Sequence, residues 1–174
     1  IPDPKVFVSA VSPKPNGSKG GDHFLKRKTS GGSPHRAALA FKEPKRISLN
    51  PLSPIIAEGK EGTRLSIPPN AFEFENGEIC RTPVKLSIWE FYELDDILLA
   101  GLTTESDEGL LQTAGMVYTE AESEGKPVRL RKGMPAEISF SPSFQTHGDY
   151  GLYDGKVVDN RILWSKAPEI IKGS

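Results

Sequence analysis

The chain has 174 residues, of which 36% are hydrophobic and 26% charged, and its formal net charge is −1. This size favours one domain with a core of roughly 100–130 residues and an additional segment. No apolar run approaches the length of about 18 residues that indicates a transmembrane helix, and the single cysteine, Cys80, excludes an intrachain disulfide.

Positive charge is concentrated at the amino-terminal end of the chain. Residues 1–46 contain ten Lys and Arg against three Asp and Glu, a net charge of +7, whereas residues 47–174 contain twelve against twenty, a net charge of −8. Glycines and prolines spread over residues 13–34 disfavour a long helix and a long strand alike. We therefore divide the chain into an irregular basic arm or linker (1–45), a folded domain (46–165) and a tail or linker (166–174).

The basic arm is either a solvated linker or a segment that docks on a protein partner or a neighbouring domain. Nucleic-acid binding is disfavoured, because few aromatic residues accompany the positive charges and the rest of the chain is acidic. Exposed ion pairs contribute little and are screened by salt, so docking also needs apolar anchors. We expect residues 6–8 and residues 39–41 to bury side chains against this domain or against a partner chain. Residues 6–8 also begin one candidate strand. The candidate docking residues are Val6, Phe7, Val8, Lys26, Arg27, Lys28, Leu39 and Phe41.

From residue 46 onward the chain alternates between short strands and turns. The residues from Val84 to Trp89 alternate over six positions, and Pro68 and Pro69 end an earlier strand before a turn. Turn signals, including Asp154-Gly155, recur about every 8–12 residues, which is typical of β-sandwiches. The pattern predicts an all-β domain with one short helical turn near residues 93–101. The predicted core residues are Leu65, Ile67, Leu86, Ile88, Val117, Leu130 and Ile138.

A family resemblance rests on Gly62-Thr63-Arg64-Leu65-Ser66-Ile67-Pro68-Pro69-Asn70-Ala71-Phe72, followed by Pro83-Val84-Lys85-Leu86-Ser87-Ile88. These segments resemble the opening of a ZU5-type β-sandwich, most closely the ZU5-like domains of secreted or cell-envelope proteins of Bacteroidetes. Glu90-Phe91, Ala100-Gly101-Leu102 and Ala114-Gly115-Met116-Val117 extend the similarity over roughly residues 46–140. The resemblance implies an antiparallel β-sandwich in the periplasm, the cell envelope or outside the cell. It also implies a non-catalytic structural or protein–protein interaction module without a cofactor.

Self-processing is a less favoured alternative that the same resemblance suggests. Some ZU5-containing scaffolds cleave themselves before the serine of a His-Phe-Ser motif, where the hydroxyl attacks the preceding carbonyl. This chain has Ser139-Phe140-Ser141, so a serine stands in the position of the histidine, and His147 would have to approach from a loop. We therefore assign no catalytic residue and predict that the protein is not an enzyme.

Two further clusters suggest binding. The acidic residues Asp95, Asp96, Glu105, Asp107 and Glu108 form either a solvated loop or a calcium site, although they lack the ordered ligand spacing of an EF-hand. The three histidines are far apart and one cysteine accompanies them, so we predict no metal site.

Aromatic residues belong either to the core or to a sugar-binding platform, which makes a carbohydrate-binding module the main alternative function. They are Trp89, Phe91, Tyr92, Tyr150, Tyr153 and Trp164.

Overall fold

The computed structural model describes residues 6–12, 39–99, 105–106, 109–110, 112–134, 136–140, 151–158 and 161–167. Within these ranges the chain forms thirteen strands and the helix α1 (Leu94–Leu99), and residues 39–41 are also helical. The strands are β1 (Val6–Ser12), β2 (Lys45–Leu49), β3 (Ile55–Glu58), β4 (Arg64–Ile67), β5 (Phe72–Phe74), β6 (Val84–Phe91), β7 (Glu105–Ser106), β8 (Gly109–Leu110), β9 (Gln112–Ser123), β10 (Lys126–Leu130), β11 (Glu137–Ser139), β12 (Gly151–Val158) and β13 (Arg161–Lys166). The protein is therefore all-β, as the alternating pattern predicted.

Ten strands form a large sheet, and its central path has the order β2-β6-β9-β1-β12-β13-β7-β8. Neighbouring strands along this path are antiparallel except for β13 and β7, which pair in parallel. The hairpin partner of β9 is β10, which leaves this path and pairs with β5. A separate antiparallel sheet has three strands in the order β11-β4-β3.

β1 lies inside the large sheet. It pairs with β9 from Val6 to Ser12 and with β12 from Phe7 to Val11, both antiparallel. The structure thus confirms the candidate strand near residue 6. It also places these residues of the predicted arm between two strands of the domain, while residues 1–5 and 13–38 lie outside the described ranges.

The two sheets share one hydrophobic core. Alternate residues of β6 (Val84, Leu86 and Ile88) pack in the same cluster as Ile55 and Leu65 from the three-stranded sheet. The predicted core residues Leu65, Ile67, Leu86, Ile88 and Val117 are at most 8% exposed, which confirms their predicted burial. The other two predicted core residues, Leu130 and Ile138, are only partly buried against this cluster.

A second core covers the opposite face of the large sheet. It contains large aromatic residues of β6, β9, β12 and β13, and Ile97 of α1 packs among them. Its members are Trp89, Phe91, Ile97, Met116, Tyr118, Tyr153, Ile162 and Trp164. Both faces of the large sheet are therefore covered near the carboxyl end of β6. No helix in the described parts of the chain has the length and apolar character needed to span a bilayer.

Two turns of the described chain contain non-glycine residues with positive φ, and one predicted turn is absent. Asn70 adopts a φ of 58° directly after the two prolines, and Glu124 and Gly125 have φ values of 53° and 73° in the loop between β9 and β10. Positive φ at both central residues is the type I′ geometry that joins tightly paired strands. The predicted turn at Asp154-Gly155 is wrong, because both residues lie within β12 and Gly155 pairs with Trp164.

Candidate interaction site

β3 is an edge strand of the three-stranded sheet and carries an exposed apolar side chain. Among the strands that the structure describes it pairs with β4 alone, so that Ile55 faces Ile67, Ile56 faces Ser66 and Glu58 faces Arg64. Ile55 and Ala57 point into the core, whereas Ile56 is 78% exposed, the largest value among the exposed large hydrophobic residues that the structure describes. An unpaired strand edge next to an exposed isoleucine is a template for pairing with another strand.

The alternation of hydrogen-bonded pairs between β3 and β4 shows which backbone groups of β3 lie at the open edge. Gly59 donates its N–H to the carbonyl oxygen of Thr63 over 2.8 Å, so these two residues form a hydrogen-bonded pair of the antiparallel ladder. Hydrogen-bonded and non-hydrogen-bonded pairs alternate along such a ladder. The backbone groups of Ile55 and Ala57 therefore face β4, and the N–H and C=O groups of Ile56 and Glu58 point away from it. We call these outward groups, together with the Ile56 and Glu58 side chains, the β3 edge.

One edge of the large sheet, formed by β2, differs from the β3 edge. Among the described strands β2 pairs with β6 alone, and it begins with Lys45 and Arg46, both exposed. Charged side chains on an edge strand, lysine above all, discourage pairing with another chain. The β3 edge carries no cation and has an isoleucine at its second position. Of these two edges, β3 is therefore the one that is open to strand addition.

Glu90 holds the loop that joins β3 to β4. Its side chain is 3% exposed, and its carboxylate accepts the N–H of Glu61 over 2.8 Å and the N–H of Thr63 over 2.9 Å. These bonds compensate the loss of hydration of the buried carboxylate. A Cβ atom on Gly59 would lie 2.3 Å from the Glu90 carboxyl carbon, so only glycine leaves room for this contact. The carboxylate thus fixes the loop end of the hairpin to β6.

Further contacts fasten the same loop to residues on other elements. The Thr63 hydroxyl lies 2.7 Å from the Tyr92 hydroxyl, which directly follows β6. Lys42 Nζ lies 2.5 Å from Glu61 Oε1 and 2.5 Å from Asp96 Oδ2 of α1. Lys60 pairs with Glu43 over 3.2 Å. The hairpin is therefore held at its loop end, which presents the β3 edge in a fixed orientation.

The contacts of Lys42 with Glu61 and Asp96 affect its pKa. Burial lowers the pKa of its ammonium, but the hydrogen bonds to Asp96 and Glu61 and the negative charges of both carboxylates outweigh that effect, so the pKa is raised above its ordinary value of 10.5. The ammonium also lies 5.6 Å from the centre of the Phe91 ring. Lys42, in the segment before β2, thus connects the β3–β4 loop and α1 through two ion pairs.

Five of the eight candidate docking residues lie in the described parts of the chain, and they belong to two separate segments. Val6, Phe7 and Val8 belong to β1, whose backbone is paired on both sides, so this strand has no open edge for a partner. Leu39 is half-buried against the second core, and its carbonyl accepts the indole N–H of Trp89 over 3.2 Å. Phe41 is 49% exposed in the chain by itself, so its burial against a partner chain stays a prediction. Lys26, Arg27 and Lys28 lie outside the described residues.

The structure describes part of the acidic cluster, of the Ser139-Phe140-Ser141 segment and of the aromatic set. Asp96 is bound by Lys42, and the described residues contain no group of three or more metal-ligating side chains. Ser139 ends β11 and the Phe140 ring packs edge-on against Tyr92, while Ser141 and His147 lie outside the described ranges. Trp89, Phe91, Tyr153 and Trp164 are at most 7% exposed in the second core, so they cannot stack on a sugar.

A groove lies beside the turns after β5 and β9. Its volume is about 420 Å³, and its lining mixes acidic residues such as Glu75 and Glu124 with the cations Arg81 and Lys126. Both signs of charge line one open surface, so no single ligand charge is favoured there. The β3 edge therefore remains the candidate interaction site.

Sequence reasoning missed both the β3 edge and the loop that supports it. The available signals were a glutamate between large apolar residues, Trp89 and Phe91, and two glycines, Gly59 and Gly62, around a charged pair. The comparisons with known proteins add no relative: the chain matches no protein-family model, no curated protein and no solved structure.

Proposed function

We propose that this chain is a non-catalytic interaction module that binds an extended segment of a protein partner by strand addition at the β3 edge. The observation that supports it is the coincidence, on one edge strand, of outward backbone groups at Ile56 and Glu58 with an isoleucine side chain that is 78% exposed. Strand addition takes its affinity from main-chain hydrogen bonds and its specificity from alternate side chains.

The expected affinity of the β3 edge by itself is low. Ile56 and Glu58 offer two N–H and two C=O groups, and each net hydrogen bond contributes about 0.5–1.5 kcal/mol. Burial of the Ile56 side chain adds roughly 1.5–3 kcal/mol. Association itself costs at least about 4 kcal/mol. The partner segment therefore either adds contacts beyond β3 or belongs to a neighbouring domain, where tethering raises its effective concentration.

The setting that we propose is an exported protein of the cell envelope or of secretion, where this chain is a ZU5-like β-sandwich module. The support for this part is the resemblance in the segments 62–72 and 83–88, together with the all-β architecture and the core shared by two sheets. A partner in that setting is another envelope protein or another domain of the same polypeptide.

A site-specific crosslink tests the proposal in the source cells. A photoreactive phenylalanine analogue replaces Ile56 in one version and Leu52 in the matched control, since Leu52 is 48% exposed but lies before β3. We expect position 56 to crosslink to one defined extended peptide and position 52 not to do so. Glu58→Pro, which removes an outward N–H without touching the ladder to β4, should abolish the crosslink. Equal crosslinking from both positions, or crosslinking that survives Glu58→Pro, would contradict strand addition.

A further inference from the structure

We infer that the segment that adds to β3 runs antiparallel to it and carries a basic residue facing Glu58 and, two positions later, an apolar residue facing Ile56. This inference rests on the proposed strand addition and names the chemistry of the partner. Three observations on the three-stranded sheet lead to it: the direction of its strands, the pattern of its outer face and the burial of its inner face.

The direction follows from the ladder. β3 and β4 are antiparallel, and so are β4 and β11, so an antiparallel fourth strand continues the existing pattern. The outward groups of Ile56 and Glu58 lie two residues apart, which is the spacing of hydrogen-bonded pairs in an antiparallel ladder. In that arrangement each of the two residues exchanges both of its main-chain hydrogen bonds with the residue that faces it. Antiparallel pairing is also slightly more stable per residue than parallel pairing.

The charge of the partner follows from two rows of side chains across the outer face of the small sheet. One row runs from Ser139 of β11 through Arg64 of β4 to Glu58 of β3, and the second runs through Ser66 to Ile56. Arg64 lies 3.8 Å from Glu58 on the β4 side, and both side chains remain at least 60% exposed. On the other side of Glu58 lies the open edge. A cation placed there continues the alternation of charge, whereas an acidic residue would face a like charge directly.

The apolar positions follow from burial. Ile56 is the exposed member of the second row, and an apolar residue facing it would remove both side chains from water. Ile55 and Ala57 point into the shared core at 5% and 0% exposure, so the residues facing them lie beside that core and are also apolar. The partner segment thus reads, from its amino end, basic-apolar-apolar-apolar.

Three capped octapeptides provide the test. The first has the order Ser-Thr-Lys-Val-Val-Val-Thr-Ser, the second has Glu in place of Lys, and the third reverses the inner order to Ser-Thr-Val-Val-Val-Lys-Thr-Ser. Each is titrated into the whole chain while the backbone resonances of Ile56 and Glu58 are followed by NMR. We expect the Lys peptide to bind on the order of two- to tenfold more tightly than the Glu peptide at low salt. That ratio should shrink in about 1 M salt, where the screening length is only about 3 Å.

Two variants check that Glu58 sets the preference. Glu58→Gln should bring the two affinities together, and Glu58→Lys should reverse their order. Equal binding of the Lys and Glu peptides at Ile56 would overturn the basic-residue inference while strand addition stood. Tighter binding of the reversed peptide would overturn the antiparallel direction. No shift at Ile56 and Glu58 with any peptide at about 10 mM, a concentration high enough for the weak binding expected of a short free segment, would overturn the inference together with the proposed peptide partner. Shifts that depend only on protein concentration, and so identify a second copy as the occupant, would overturn both as well.

Discussion

Gly59 and Glu90 are fitted to each other across the two sheets: the carboxyl carbon of Glu90 lies 2.3 Å from where a Cβ atom on residue 59 would be. The glycine permits the buried carboxylate to reach the N–H groups of Glu61 and Thr63, and those bonds in turn fix the hairpin that presents the β3 edge. The support of the candidate site is therefore a contact between a loop and a strand that are about thirty residues apart in the chain.

Gly59→Ala is the first test of this contact. The new methyl group would overlap a carboxylate that two backbone hydrogen bonds hold in place, so we expect a loss of about 1–3 kcal/mol in the free energy of unfolding. Urea denaturation of the whole chain measures it. The double variant Gly59→Ala with Glu90→Ala has no carboxylate to overlap, and the two losses should not add. A cost below about 0.5 kcal/mol for Gly59→Ala by itself would show that the contact is loose.

Glu90→Gln changes the hydrogen bonding and keeps the shape. A side-chain amide offers one oxygen acceptor and turns its NH₂ group toward the second backbone donor, which leaves a buried N–H without a partner. We expect a loss of roughly 1–3 kcal/mol by the same measurement. The matched control is Glu122→Gln, because Glu122 is exposed and lies 3.8 Å from Lys85. This surface pair should be worth about 1 kcal/mol at most. Similar losses for the two variants would remove the case for a structural role of Glu90.

Because of Lys42, the free energy of unfolding should fall at alkaline pH. Its pKa is raised in the folded chain because the hydrogen bonds and charges of Asp96 and Glu61 outweigh the opposing effect of burial. The stabilisation is therefore fully present below the unfolded value of 10.5 and is lost as the pH rises through the higher folded value. We expect the difference in unfolding free energy between the native chain and Lys42→Met to narrow above that pH. If the difference in unfolding free energy stays constant from pH 8 to well above 10.5, the charged ammonium of Lys42 does not stabilise the fold through Asp96 and Glu61.

Ile88→Ala tests the shared core. Ile88 is 1% exposed in the cluster between the two sheets, and truncation of a buried isoleucine costs roughly 2–5 kcal/mol. Denaturation with urea gives the value. Ser87 is only half-buried on the other face of β6, and Ser87→Ala should cost much less. A loss under about 1 kcal/mol for Ile88→Ala would indicate that the assigned register is shifted by one residue.

The parts of the fold that were predictable are those that local alternation determines. Period-two spacing placed Leu86 and Ile88 on one face of β6, and the two prolines marked the end of β4 and the turn at Asn70. Leu130 and Ile138 were harder, because Leu130 ends β10 and Ile138 lies in β11 at one end of the small sheet, where both are only partly buried against the core. Alternation tells which face of a strand is apolar, but not how far the neighbouring elements cover it.

Long-range pairing was not predictable from the residues. Nothing in the Val6–Ser12 segment indicates that its neighbours are β9 and β12, which lie more than a hundred residues further along the chain. Asp154-Gly155 was interpreted as a turn because that dipeptide favours turns, but within β12 the glycine faces Trp164 on the next strand. Which strand ends up at an edge depends on the same pairings, so the β3 edge was visible only in the folded chain.

Amide hydrogen exchange along β3 tests the central claim most directly. In the chain without a partner we expect slow exchange at Ile55 and Ala57, whose N–H groups face β4, and fast exchange at Ile56 and Glu58, whose N–H groups face the open edge. Saturation with the Lys-containing octapeptide should slow Ile56 and Glu58 and leave Ile55 and Ala57 unchanged. Slow exchange at all four residues before the peptide is added, or fast exchange at Ile56 and Glu58 after saturation, would contradict strand addition at β3.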